Sequence, residues 1–280
     1  MNIQSAIIEG TKILTDKSIN SAKLDSEILL ASAIDQDRKY IILNNDQNIK
    51  EENLKYFQKL INKRSFREPI AYLTNEKYFW KYKFFITNNT LIPRPDTELI
   101  VEQILKLTKF KTKMKILDIG VGSGCILLTI LKERRNFYGV GIDISKKCLN
   151  ISKINAKNLE VSSRVKFFKT DVDKFAQGKY DLVVSNPPYI KKLDLKYLEK
   201  DVINFEPKLA LDGGLDGLSE IRKVIKKSSE LIKKNGKFIL EIGFDQKNKV
   251  INLLKDEGFY INSILKDLAK NDRCIVSTKI

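Results

Sequence analysis

The sequence predicts a two-part α/β protein in which a small helical bundle and a β-hairpin joint precede a larger sheet domain. Three observations predict it. Apolar residues recur at helical spacing from residue 1 to about 75. Aromatic and β-branched residues then crowd residues 78–94. After Met114, short β-rich runs alternate with amphipathic segments of helical length. The expected boundaries are therefore 1–75, 76–95 and 96–280.

In the helical part, Ile3, Ala6, Ile7, Gly10, Ile13 and Leu14 fall on one stripe. Leu24, Ile28 and Ala31 make a second stripe, and Leu54, Phe57, Leu60 and Ile61 a third. Polar breaks at 15–18 and 44–50 separate the helices. In the joint, Asn88-Asn89 is the expected hairpin turn. Pro93 and Pro95 hold Arg94 extended, and Asp96 or Thr97 is placed to cap a helix running to about Leu107. The five lysines of 106–115 read as a solvated linker.

Seven β-rich runs follow, at 115–119, 138–142, 165–168, 181–185, 238–242, 260–264 and 274–278. The alternation with helical segments implies a parallel sheet covered on both faces. Only a short polar loop lies between the last two runs. It cannot hold a crossover helix, so one of those strands should run antiparallel.

Composition removes several function classes. No apolar run approaches the ~20 residues of a membrane span, and the first residues lack a signal-peptide pattern. A cytoplasmic protein without membrane contact is expected. Cys125, Cys148 and Cys274 are far apart and form no C-x-x-C pair, so neither a disulfide framework nor a metal site is expected. Histidine is absent, which excludes any His base, nucleophile or ligand. The net charge of +16 comes from 42 Lys and only nine Arg against 35 acids. A general attraction to acidic partners follows, but a specific nucleic-acid site, which leans on Arg, does not.

The first run of the sheet domain leads into Asp118-Ile119-Gly120-Val121-Gly122-Ser123-Gly124, with a helix expected from about Cys125. Glycines there let the chain turn tightly and let a ligand approach backbone N–H groups at a helix N-terminus. The spacing is G-x-G-x-G, not the G-x-G-x-x-G of dinucleotide enzymes. Asp143 ends the second run, twenty-three residues after Gly120, where a carboxylate can accept both ribose hydroxyls of an adenosine. Asp171, after the third run, can contact an adenine edge or cap a helix. Asp118 can bond a cofactor ammonium or brace the glycine loop.

The fourth run enters Asn186-Pro187-Pro188-Tyr189. Ligands of open α/β sheets bind outside the carboxyl ends of strands, which sets this tetrapeptide beside the cofactor. A conjugated NH2 nitrogen is a poor nucleophile, so an enzyme must hold both N–H bonds and aim the nitrogen. The Asn186 side-chain oxygen and the Pro187 carbonyl can accept those hydrogens. Both prolines stiffen the backbone, and Tyr189 can stack on the planar group. No base lies in the motif, which makes water the expected proton acceptor. This chemistry fits the amide of a protein glutamine and equally an exocyclic amine of adenine in DNA or RNA.

Several further stretches narrow the choice: Arg67-Glu68-Pro69-Ile70-Ala71-Tyr72, Phe79-Trp80, residues 91–98, Glu206-Pro207 and residues 211–218. With the glycine loop and the tetrapeptide, they resemble the glutamine-N5 methyltransferases that modify peptide chain release factors, over nearly the whole chain. The resemblance implies a Rossmann-like seven-stranded methyltransferase domain using S-adenosylmethionine, and a helical domain that helps recognise a class I release factor. The substrate it implies is the glutamine of the Gly-Gly-Gln loop. It places Gly120, Val121, Gly122, Ser123, Gly124, Asp143, Val172 and Asn186 on the cofactor, and Asn186, Pro187, Pro188 and Tyr189 on the glutamine, with Asn186 and Pro187 as the catalytic pair. Val172 is a departure, since the family often has an aromatic residue there. An aliphatic side chain can line the adenine pocket but cannot stack.

Overall fold

The computed structural model describes all of residues 1–280. The chain divides into two compact units, one of residues 1–76 plus 199–205 and one of 77–198 plus 206–280.

The first unit is helical, with α1 (Ile3–Asp16), α2 (Ala22–Ala33), α3 (Arg38–Leu43), α4 (Glu51–Ser65) and α5 (Ile70–Leu73). Asn2 starts α1 by accepting the Ser5 N–H at 2.9 Å, and Asp37 starts α3 by accepting that of Tyr40 at 2.7 Å. Ile3, Ala6 and Leu14 of α1 and Phe57, Leu60 and Ile61 of α4 are buried, as their stripes predict. The α2 stripe is not as predicted: Leu24 is exposed, while Leu29 and Leu30 are fully buried. The reason is that α2 packs against α1, α3, α4 and α5 together, so it has no single apolar face. That also buries Asp25, which receives Arg64 Nε at 2.7 Å; another Arg64 nitrogen reaches Asp201, in the 199–205 segment, at 2.7 Å.

The second unit opens with a hairpin, β1 (Glu76–Phe79) and β2 (Tyr82–Phe85). Its turn is Trp80-Lys81 rather than the predicted Asn88-Asn89, which forms a separate turn closed by Thr90 N–H to the Thr87 carbonyl at 3.0 Å. Trp80 takes a left-handed φ of 58°, and its N–H is held by Glu98 at 2.7 Å. Phe79 and Phe84 meet edge-on beneath the hairpin.

A 3-10 turn, Pro95–Thr97, leads into α6 (Glu98–Leu107). Neither Asp96 nor Thr97 caps α6 with its side chain, contrary to the sequence prediction; both face other partners, described below. Next come β3 (Lys115–Ile119), α7 (Cys125–Glu133), β4 (Tyr138–Asp143), α8 (Lys146–Asn158), β5 (Val165–Lys169) and β6 (Tyr180–Ser185). After α9 (Lys200–Phe205), which belongs to the helical unit, the order is α10 (Ser219–Leu231), β7 (Ile232–Glu241), α11 (Lys247–Asp256), β8 (Phe259–Lys266) and β9 (Asp272–Lys279).

The seven-stranded sheet has the order β5-β4-β3-β6-β7-β9-β8, parallel except for β9, which is antiparallel to both neighbours. The short final connection therefore behaves as its length requires. Leu117, Val183, Phe238, Leu240 and Ile275 form the core with Ile221 and Ile225 of α10, all at most 1% exposed. No helix is long and apolar enough to cross a membrane.

Candidate active site

Register brings the predicted residues to one end of the sheet. Ile119 pairs with Ile142 on one side and with Ser185 on the other, and Asp143 pairs with Lys169. Gly120, Asp143 and Asn186 thus leave three adjacent strands at their carboxyl ends, with neighbouring strands ~4.8 Å apart.

The glycine loop is a backbone structure. The N–H groups of Gly120 and Val121 both reach the Ile142 carbonyl, at 2.9 and 3.0 Å. Gly120 and Gly124 have φ of 76° and 84°, which L side chains rarely adopt. A Cβ on Gly124 would lie 2.6 Å from Leu128, whereas one on Gly120 would meet nothing within 4 Å. Gly120 therefore borders open space, while Gly124 is where α7 packs. Val121 and Ser123 are buried, so these two contribute backbone rather than side chains to the cradle. Asn155 of α8 holds the loop in place, donating to the Ser123 carbonyl and to the Phe85 carbonyl, both at 2.9 Å, while accepting the Phe85 N–H at 2.7 Å. One side chain thereby couples the hairpin to the glycine loop.

Asp143 accepts the Gly122 N–H at 3.0 Å and the Ser145 N–H at 2.8 Å. Burial raises its pKa despite those bonds, and each oxygen retains a lone pair for a ribose hydroxyl. Asp118 lies deeper, 2% exposed, with Oδ1 lacking any partner. Burial pushes it up to about 7, with the charge of Asp143 adding and the Leu127 N–H opposing. Asp171 accepts the Asp173 N–H at 3.1 Å and so caps the short 3-10 turn that follows. Val172 packs on the edge of the sheet core. The residues fit S-adenosylmethionine: an open glycine cradle, exposed turns of backbone, and carboxylates suited to its ribose and its positive charge.

The tetrapeptide leaves β6 just past Ser185, whose hydroxyl donates to the Ile119 carbonyl at 2.7 Å. Pro187 is buried, and Asn186, Pro188 and Tyr189 are half-buried. The Asn186 Nδ2 donates to Thr97 Oγ1 at 3.1 Å, leaving Oδ1 as the amide end turned away from Thr97. The Tyr189 hydroxyl donates to Glu241 at a long 3.3 Å, and its ring packs on the core. Gln246 holds the next turn, donating to the carbonyls of Tyr189 and Gly217 at 2.9 and 3.0 Å. Gly213 N–H donates to the Ile190 carbonyl at 2.8 Å, which seats the 211–218 loop against the tetrapeptide's exit. Glu206, whose side chain is 1% exposed, accepts the Ile92 N–H at 3.1 Å and pairs with Arg94. The Pro-Arg-Pro and Glu-Pro stretches, far apart in sequence, are therefore one structure.

Glu241, Gln246 and Arg273, which pairs with Asp267 at 2.9 Å and Asp96 at 3.7 Å, escaped the sequence reading, and Thr97 entered it only as a helix cap and within the 91–98 stretch. Glu241 alone left a signal, as the one acid in the apolar run of residues 238–242, at a strand's carboxyl end.

A seven-stranded sheet with one antiparallel strand, a glycine loop after its first strand and Asn-Pro-Pro-Tyr after its fourth define an S-adenosylmethionine-dependent methyltransferase. Comparison with known proteins agrees. Residues 5–74 match the model of the PrmC N-terminal domain and 95–215 that of the methyltransferase small domain. The release factor glutamine methyltransferase of Clostridium botulinum is 39% identical over 283 residues, with 100% of both chains covered. That of Buchnera aphidicola subsp. Acyrthosiphon pisum is 37% identical, covering 100% of this chain and 99% of the relative. The ribosomal protein L11 methylase of Lactobacillus delbrueckii subsp. bulgaricus shares the fold, with TM-score 0.51 and 17% identity over 67% of this chain and 81% of that one. The chain belongs to the release factor glutamine methyltransferase family.

Proposed function

We propose that this protein methylates the side-chain amide nitrogen of the glutamine in the Gly-Gly-Gln loop of class I peptide chain release factors, in the cytoplasm, with S-adenosylmethionine as donor. The observation that carries the chemistry is the fixed amide of Asn186, its Nδ2 occupied by Thr97 at the carboxyl end of β6 beside the glycine loop.

Bound S-adenosylmethionine supplies an electrophilic methyl on sulfonium. The protein supplies placement. Asn186 Oδ1 and the Pro187 carbonyl accept the two N–H bonds of the incoming amide, which turns the nitrogen lone pair toward the methyl. Those acceptors strengthen their hold as nitrogen gains positive charge, which lowers the barrier electrostatically, and one N–H proton then leaves the methylated nitrogen for water. Pro187 and Pro188 keep the backbone from reorienting. Gly120, Val121, Gly122, Ser123 and Gly124 cradle the donor through their backbone, Asp143 takes its ribose, and Val172 lines the adenine side. We assign release-factor recognition to the helical stretch 1–75, the larger part of the first unit, with 76–95 as the joint and 96–280 as the catalytic domain. No specific nucleic-acid contact enters this scheme.

The test offers labelled S-adenosylmethionine with release factor, DNA or RNA. Label on the release factor, lost when its acceptor glutamine is replaced, is expected; label only on nucleic acid would overturn the assignment. Asn186→Ala should lower kcat by at least ~100-fold, the typical scale for losing a preorganised hydrogen-bonding group, with cofactor affinity little changed. An equal loss of both would place Asn186 chiefly on the cofactor.

A further inference from the structure

The last residue of β7 is a buried carboxylate to which the scheme above gives no work. Glu241 is 2% exposed. Register sets it one residue past Leu240, the partner of Ser185 on β6, and opposite Cys274 on β9. It is thus next to the point where Asn186 leaves the sheet. Its Oε1 accepts the Tyr189 hydroxyl, and its Oε2 has no hydrogen-bond partner. The Thr97 hydroxyl faces the same carboxylate and favours its charged form, although less closely than a full hydrogen bond.

Thr97 Oγ1 accepts Asn186 Nδ2 at 3.1 Å and spends no hydrogen on it, so the one hydrogen of the hydroxyl is left for the partnerless Oε2 of Glu241. A charged carboxylate can only accept, so it draws that hydrogen toward itself. Thr97 Oγ1 is then left with lone pairs alone for Asn186, which must present Nδ2 to it. The amide is rigid, so fixing Nδ2 on Thr97 fixes Oδ1 toward the acceptor nitrogen. We propose that Glu241 is a positioning residue: through Thr97 it decides which end of the Asn186 amide meets the substrate, and through Tyr189 it anchors the other end of the tetrapeptide. This rests on the Asn186 assignment made above.

A pH dependence follows. Once protonated, Glu241 can donate to Thr97, whose hydrogen is released toward Asn186 and favours the reversed amide, with NH2 facing NH2. Burial pushes Glu241 up to about 7, with Thr97, Arg273 and Tyr189 opposing and Asp96 adding. Arg273 is raised and pairs with Asp267 at 2.9 Å and Asp96 at 3.7 Å. Tyr189, Cys125 and Cys274 are all raised by burial and stay neutral, and Arg94 also faces Tyr189. In the second unit, Asp118 is likewise pushed up to about 7, so the experiment must separate the two.

kcat for release factor methylation is measured from pH 5.5 to 8.5 in the full chain, with cofactor affinity by calorimetry. Wild type should lose at least tenfold in kcat on the acid side of a limb near pH 7. Glu241→Gln should be at least tenfold slower at pH 8 and should have no such limb, with KM and cofactor Kd within threefold of wild type. Thr97→Ser should stay within threefold, and Thr97→Val should fall as far as Glu241→Gln, the double variant falling no further. Asp118→Asn should keep the limb. A limb retained by Glu241→Gln or abolished by Asp118→Asn overturns the proposal, as does a Thr97→Val of wild-type rate. If Glu241→Gln fails to fold, Thr97→Val decides: it keeps the carboxylate but removes the hydroxyl that would link it to Asn186, so it should lose the acid limb, and a limb that survives overturns the proposal. A wild-type enzyme that labels no glutamine refutes the proposed substrate instead.

Discussion

Replacing Glu206 with Ala should destabilise the methyltransferase unit by about 3–5 kcal/mol, from terms the structure separates. The Ile92 N–H, at 3.1 Å, loses a charged acceptor inside the protein, about 1.5–3 kcal/mol. Arg94 loses its partner but is 36% exposed and can rehydrate, so that term is nearer the ~0.5–1 kcal/mol of a surface pair. Truncating a side chain in a closed site adds roughly 1 kcal/mol of lost packing. Glu206→Gln keeps an acceptor for Ile92 and should cost about half as much. The single tryptophan, Trp80, sits at the hairpin turn of the same unit, so its fluorescence reports the relevant transition in a thermal melt. At ~2–4 °C per kcal/mol for a unit of this size, Glu206→Ala should lower Tm by roughly 6–20 °C. A Tm within 2 °C of wild type would mean that the Arg94–Glu206 structure does not hold the Pro-Arg-Pro joint to the sheet.

Gly124→Ala should cost about 1–3 kcal/mol, since its Cβ would lie 2.6 Å from Leu128 at φ 84°. Gly120→Ala meets nothing within 4 Å and should cost only ~1–2 kcal/mol of backbone strain, yet weaken cofactor binding at least tenfold by calorimetry; matching losses of stability and affinity in both variants would contradict the cradle. Asp118 has a folded pKa of about 7 against 3.8, so it favours folding fully below pH ~4 and loses that contribution as pH rises through 7. Three units at ~1.4 kcal/mol each mean that Asp118→Asn should flatten the fall in stability between pH 4 and 8 by up to roughly 4 kcal/mol in urea melts; an unchanged slope would refute it. Arg64→Ala strands the buried Asp25 and should remove about 3–5 kcal/mol from the helical unit, with faster amide exchange in α9; a loss below ~1 kcal/mol would show the Arg64 pairs to be dispensable.

What was legible in the sequence was whatever a short window encodes. The strand runs, the glycine loop and Asn186-Pro187-Pro188-Tyr189 are local patterns whose geometry follows from backbone and strand order. The hairpin turn was misjudged because Asn88-Asn89 has better turn chemistry than Trp80-Lys81. A contact from Glu98 holds Trp80 left-handed, and no local propensity shows that. The α2 face failed for a related reason, because a helix packed on several sides has no periodic signature. Thr97, Glu241 and Gln246 are ordinary residues in ordinary surroundings along the chain. Their roles exist through partners 29 to 89 residues away.

The segment Glu199–Phe205 has a consequence for how such a protein can be divided. The polypeptide enters the helical unit twice, once at its beginning and once in an excursion from the loop beyond the tetrapeptide. No single cut yields both units whole. A fragment starting at Lys77 carries α9 with Asp201 stripped of its guanidinium partners, Arg64 and Arg67. A fragment ending at Glu76 leaves Arg64 with one carboxylate instead of two. Exchanging the helical unit with that of a relative therefore means transplanting two stretches of chain in concert, and selection on one stretch is felt by the other.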